Sequence, residues 1–266
     1  MQSERWDRAH VAASAAGVEL RSLLTLEQAD LITEVMIATW GEHQLLPREV
    51  LRALQESGSV PIGAFDGGDM VGYVLGFAGV DREGLHMHSH MLAVQPGLRH
   101  KGIGYALKLA QRAQALDQGI TIVRWTFDPL VSRNAYFNMA KLGASCDRFG
   151  RNFYGEMTDA LNRGERSDRL GVRWDLEREP TGPAPSEGHE ALGREGPDDL
   201  QKPAVRELPA GRPVLVRIPR EYALLKERDS GLGEAWREAV ADVLDACFGA
   251  GLTVSGFTTD STYVLM

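Results

Sequence analysis

The stretch "VQPGLRHKGIGYALKLAQRA", residues 94–113, decides how the chain is read. It joins the apolar end of a strand, a proline, two basic residues around a histidine, and Gly-Ile-Gly running into a helix. A strand, a glycine turn and a helix start together form an anion site. The first N–H groups of the helix have no partner within it, and the helix dipole adds partial positive charge. Gly102 and Gly104 permit close backbone approach because neither carries a Cβ, and Arg99 and Lys101 supply full charges. The helix has a core to dock on, since Ile103, Leu107, Ala110, Ala113 and Leu116 share one face. The spacing is not that of a nucleotide fingerprint: neither G-x-G-x-x-G nor Gly-Lys-Ser/Thr occurs.

Around this loop the totals are those of an ordinary globular chain, with 266 residues, 43% hydrophobic and 25% charged. The length suits one large domain, or a domain with a smaller appendage. A net charge of −8 argues against a general nucleic-acid or acidic-membrane surface and leaves room for a local basic pocket. Cys146 and Cys247 stand in no metal-ligand spacing and read as reduced, buried thiols. The opening "MQSERWDRAH" lacks the apolar core of a signal peptide, and together these features point to the cytoplasm. The longest apolar run, "MVGYVLGFAGV" at 70–80, is too short to span a bilayer and reads as a buried strand.

The periodicity predicts a strand over 18–24, then a helix over 25–41 capped by Thr25 with Gln28 completing a capping box. A second helix over 47–58 carries Pro47 in its first turn and Gly58 past its end. Strands follow at 60–66, 70–79 and 85–94, then the glycine loop, a helix over 102–117, a strand over 120–127 and a helix over 131–142. Short strands are expected around 146–149 and 152–154, and "ERSDRLGVRWDLERE" (165–179) closes a first domain, 1–179. Residues 180–212, rich in Pro, Gly and acidic side chains, read as a linker or an ordered surface excursion. Residues 213–266 read as a small β-α-β-β extension. Its helix has an apolar stripe (Leu232, Trp236, Val240, Val243, Leu244, Cys247) that must pack on the main domain or on a second subunit, as in a homodimer.

The pattern R-x-x-G-x-G preceded by V-x-P resembles the coenzyme loop of the GCN5-related N-acetyltransferase (GNAT) superfamily, and "LAVQPGLRHKGIGYAL" matches it throughout. The order of flanking elements is similar over roughly 18–160. Together "HSHM", "WTFDPL", "RNAYFN" and "SDRLGVRW" look like a bacterial subgroup of that superfamily carrying a C-terminal extension. The resemblance implies an α/β GNAT fold, a mixed, mostly antiparallel twisted sheet flanked by helices. It also implies acetyl-CoA, or another short acyl-CoA such as succinyl-CoA, as co-substrate, with no metal. Leu92, Ala93 and Val94 would bind the pantetheine arm as an added strand. The N–H groups of Arg99, His100, Lys101, Gly102, Ile103, Gly104 and Tyr105 would cradle the diphosphate. Asn134 falls where the family's second coenzyme motif often has an asparagine, and Asn138 lies one turn on.

Three of the seven histidines, His86, His88 and His90, alternate along one strand and so share a face, with Met87, Ser89 and Met91 on the other. Acetyl transfer needs a base to make the acceptor amine neutral, and imidazole titrates in the right range. Many members of the superfamily carry a glutamate base on this strand, and counting back from the loop places His88 at that position, with His90 as the alternate. A bulge would shift the parity by one. The bland alternative is a set of satisfied polar residues, and a metal site built from the three histidines is a third. Where many members carry a tyrosine acid this chain has Met139, which leaves the acid unassigned, with Tyr136 and Asn138 nearby. Asp128 is poised either to orient a histidine or substrate ammonium, or merely to cap a helix. Trp125 and Phe127 read as core. Trp40, Glu42 and His43 lie in the segment that usually shapes the acceptor pocket, and Arg173 is a candidate grip for an acceptor carboxylate.

The function expected from all this is an N-acyltransferase acting on a small amine, such as an amino acid, by direct attack in a ternary complex. The rivals are a non-catalytic acyl-CoA-binding or regulatory module and a metal-dependent hydrolase built on the histidines.

Overall fold

A computed structural model describes residues 2–42, 45–99, 101–155, 166–179, 182, 184–197, 199–208 and 212–266. Its described residues fall into two compact units, one running to Trp125 and the other starting at Thr126.

The first unit begins with a helix that the periodicity does not announce, α1 (Gln2–Ala15), followed by β1 (Glu19–Ser22). Next come α2 (Leu26–Trp40) and α3 (Arg48–Glu56). The α2 cap is the expected box: Gln28 N donates to Thr25 Oγ1 at 3.3 Å, and the Gln28 side chain accepts from Thr25 N at 3.0 Å. Strands β2 (Ile62–Asp66), β3 (Asp69–Asp81) and β4 (Gly84–Val94) form an antiparallel meander with β1. Then follow α4 (Ile103–Asp117) and β5 (Ile122–Phe127), which lies parallel to β4, so the sheet is mixed. On one face α1 and α4 pack together, with Ala9 and Ala13 against Ile103, Ala106, Leu107 and Ala110. Arg5 and Trp6 pin α1 to the far end of α4, donating to Leu116 O at 2.7 Å and Asp117 Oδ2 at 2.8 Å. On the other face α2 covers Tyr73, Leu75 and Ala93.

The second unit starts within β5 and continues through α5 (Ser132–Ala135), a π-helical turn (Tyr136–Lys141), β6 (Ser145–Gly150) and β7 (Arg169–Asp175). Residues 152–154 form a turn instead of the expected strand, with Asn152 at φ +46° in the left-handed region that asparagine tolerates. The stretch expected as a linker, 180–212, holds two strands, β8 (His189–Glu195) and β9 (Lys202–Val205), paired antiparallel. Their ladder satisfies backbone groups that a composition rich in Pro and Gly suggests are left to solvent. Strand β10 (Val214–Arg217), α6 (Tyr222–Arg228), α7 (Ser230–Gly249), β11 (Val254–Phe257) and β12 (Thr262–Leu265) complete the chain. This sheet runs β7-β6-β11-β12-β10-β8-β9. The apolar stripe of α7 is buried within its own unit, with Trp236 Nε1 donating to Gln201 O at 2.7 Å. Among the described residues no helix is long and apolar enough to cross a membrane.

Candidate active site

The glycine loop ends at Gly102, which caps α4 in the left-handed conformation, φ +89°. Only glycine takes that shape without strain. Two of the expected cradle amides are already committed. Arg99 N donates to Pro96 O at 3.5 Å, and Tyr105 N donates to Gly102 O at 3.0 Å. Among the described residues no backbone acceptor takes the N–H of Gly102, Ile103 or Gly104, which are the donors a helix start leaves open. Lys101 is exposed beside them, Arg99 is half-buried, and His100 lies outside the described residues. The fold's own packing does not demand Gly104. A Cβ there would stand 3.9 Å from Leu92 Cδ2 and 4.0 Å from Val94 Cγ2, both ordinary contacts. Its absence leaves room beside Leu92 and Val94 at the helix start, where an anion would meet the first amides. The side chains of Ile103 and Tyr105 instead pack into the α1–α4 core.

Strand β4 pairs with β3 along its whole length, but with β5 only through Met87↔Val123 and His88↔Arg124. Leu92, Ala93 and Val94 therefore have no strand on their β5 side among the described residues, and this edge can accept an extended ligand. Gly72 is needed for the opposite pairing, since a Cβ on it would meet the Ala93 carbonyl oxygen at 2.7 Å.

The histidines sit on this same strand. Its register jumps from Met91↔Leu75 to Ser89↔Gly76, which makes His90 the extra residue of a bulge. The bulge corrects the simple alternation. Met87 lies on the α4 side with Ser89, whose hydroxyl meets Lys108 of α4, whereas Met91 joins Tyr73 and Ala93 on the α2 side. The rings of His88 and His90 lie 5.9 Å apart and both approach Phe77, at 5.2 and 5.8 Å. Desolvation lowers the pKa of His90, which favours its neutral imidazole. His86 is turned toward the hairpin, with Nδ1 3.6 Å from Asp81 Oδ2. Among the described residues no three His, Cys, Asp or Glu side chains are arranged to hold a metal ion, so the three-histidine alternation does not gather a ligand set. Trp40, at the end of α2, packs on the cluster of Tyr73, Leu75 and Met91; Glu42 is exposed, and His43 lies outside the described residues. Sequence reading missed Phe77, the ring both histidines touch, because a lone phenylalanine in an apolar strand carries no signal of its own.

The remaining candidates belong to the second unit. Asp128 is gripped by Arg237 through two hydrogen bonds of 2.7 and 2.9 Å, and it also accepts from Leu130 N at 2.8 Å. Both its oxygens are thus committed; Phe127 before it is buried, as is Trp125 at the end of the first unit, as expected of core. Asn134 is exposed on α5, whereas Asn138 is buried. Met139 is buried with its sulfur 3.9 Å from Cys146 Sγ. Arg173 is half-buried, 3.8 Å from Asp175. Burial raises the thiol pKa of both cysteines, that of Cys247 to about 11, so neither supplies a thiolate at neutral pH.

The profile of the acetyltransferase (GNAT) family matches residues 23–143. Among solved structures the chain is similar to Chaetomium thermophilum Naa20 in complex with a bisubstrate analogue. The two share 19% identity, covering 60% of this chain and 88% of that one with a TM-score of 0.50. It is also similar to the ribosomal-protein-S18-alanine N-acetyltransferase of Escherichia coli, at 14% identity over 61% of this chain and 96% of that one, TM-score 0.50. At such identities the likeness is one of fold. No curated protein sequence matches the chain.

Proposed function

The chain belongs to the GNAT superfamily of acetyltransferases, and from that premise we propose that it passes an acetyl or related short acyl group from acyl-CoA to a small amine. The observation that carries the reading is the set of amides at Gly102, Ile103 and Gly104 that find no backbone acceptor among the described residues, in the loop that follows a strand bearing paired histidines. In this reading those amides and Lys101 hold the diphosphate, and Leu92–Val94 hold the pantetheine arm. Acyl-CoA supplies a thioester ready for attack. His88, with His90 as its alternate, removes the proton from the acceptor ammonium directly or through water, because only the neutral amine is nucleophilic. Trp40 walls the acceptor side. Attack is direct, which the two buried, protonated thiols support. Met139 offers no proton, so the coenzyme thiolate leaves without help from that position. Asp128 is assigned to architecture. Arg173 favours an acceptor with a carboxylate, such as an amino acid, and the reduced cysteines support a cytoplasmic setting.

Calorimetry with acetyl-CoA and succinyl-CoA, followed by thiol release with a panel of amines and amino acids, tests the proposal. The expected result is coenzyme uptake and turnover with at least one amine. His88→Ala should then lose activity at neutral pH and recover it at high pH, and an unchanged pH–rate profile removes the base role. No uptake of any coenzyme A species overturns the reading. Uptake without turnover across the panel points instead to a coenzyme-binding module, the alternative that the buried Met139 favours.

A further inference from the structure

Lys108 lies in the middle of α4 with only 2% of its surface exposed, pointing away from solvent toward the back of β4. Its Nζ donates to Ser89 Oγ at 2.7 Å and to Gln111 Oε1 at 3.2 Å, and it stands 3.7 Å above the centre of the Trp125 ring. An ammonium has three N–H bonds, and these three partners account for them. The pocket is shaped for the arrangement, because a Cβ on Gly76 would come within 2.7 Å of Gln111 Nε2. Burying an ammonium costs stability that a methionine of similar length would not. The two hydrogen bonds and the ring contact offset part of that cost, and they tie the helix to one point of β4, at Ser89.

Ser89 stands between His88 and His90, on the opposite face of the strand, and at the residue where β4 departs from the regular ladder. We propose that Lys108 is a positioning residue for the histidine pair. Its hydrogen bond to Ser89 holds the bulge in place from behind, and the bulge sets the direction of the His90 ring and its tilted contacts with His88 and Phe77. Burial lowers the Lys108 pKa to about 7, so the grip is made by an ammonium that is only just retained at neutral pH. None of its partners, Ser89, Gln111 and Trp125, titrates in that range. Arg124, next to Trp125 on β5, is held by Glu83 at 2.5 Å.

The inference rests on the histidines acting in the reaction, so the test separates the two ideas. Lys108→Met and Ser89→Ala are each expected to lower kcat about 10- to 100-fold, the scale of a misplaced reacting group. KM for acyl-CoA should stay within about two-fold, since the coenzyme edge is untouched. In both variants the ring resonances of His88 and His90, assigned by their alanine variants, should move. Ser89→Thr, which keeps the hydroxyl, should restore both readings, and the double variant should lose no more than either single one. If Lys108→Met does not fold, the Ser89 pair carries the test alone. Unmoved resonances in Ser89→Ala overturn the proposal whatever the activity does. Moved resonances with unchanged kcat overturn the role of the histidines instead, and with it the functional part of this inference.

Discussion

Replacing Arg237 with methionine isolates the buried ion pair at the tip of β5. Arg237 is 6% exposed and Asp128 14%, and the two are joined by hydrogen bonds of 2.7 and 2.9 Å. Removing one member of such a pair typically costs about 3–5 kcal/mol, because the other charge stays buried without its counter-ion. Asp128 would keep the Leu130 amide and the Arg169 guanidinium at 4.0 Å, which places the expected loss at the low end, about 3 kcal/mol. For a chain of this size that corresponds to a fall in Tm of roughly 6–12 °C. Calorimetry of the intact chain measures it. Asp128→Asn should lose a similar amount, and the double variant clearly less than the sum, because the two changes remove one shared interaction. At 25 °C, well below either midpoint, kcat of the Asp128→Asn variant should stay near that of the parent. A Tm within 2 °C of the parent for Arg237→Met refutes the architectural assignment, as does a hundred-fold loss of kcat in Asp128→Asn with the midpoint unchanged.

The Lys108 pKa gives a pH signature with a definite sign. Its folded value of about 7 lies below the value of about 10.4 expected in the unfolded chain. Between those limits the unfolded chain binds more protons, so stability rises as pH goes from about 7 toward 10 and is flat below. At roughly 1.4 kcal/mol per unit the rise approaches 4 kcal/mol, and Lys108→Met should abolish it when urea midpoints are compared at pH 7 and 9. Gly102→Ala forces a side chain into the left-handed region and should cost about 1–2 kcal/mol while weakening coenzyme binding in calorimetry. Gly72→Ala drives a Cβ into the Ala93 carbonyl and should cost about 1–3 kcal/mol, with acyl-CoA affinity falling as the β4 edge is displaced.

What the sequence made legible was local. The glycine turn before α4 and the Thr25–Gln28 box each depend on residues within a few positions, and each appears where the spacing places it, whereas the histidine alternation is broken by the bulge. The bulge at His90 was foreseen only as a possibility, because nothing in "HSHML" distinguishes the regular ladder from a slipped one. Helix α1 was missed because its buried face is mostly alanine, and its apolar contrast is too faint to set a period. Strands β8 and β9 were missed because turn-forming residues surround them, and their support comes from β10, further along the chain. The partners of Asp128 and Lys108 were beyond reach for the same reason. Arg237 is 109 residues from Asp128, and Ser89 is 19 from Lys108, so only the folded chain shows the pairs.

The C-terminal strands and helix also do more than follow the catalytic fold. Tyr263 donates to the Pro129 carbonyl at 2.7 Å, Ser132 and Ser261 share a hydrogen bond of 2.7 Å, and Arg151 reaches Asp242 and Asp245 on α7. The stretch 126–155 is thereby knitted to the last third of the polypeptide, so a version cut before β10 would strip away part of the packing around residues 126–155. Piecemeal truncation from the C-terminal end would expose that interior step by step, each cut leaving hydrogen-bonding groups of the stretch 126–155 without their partners.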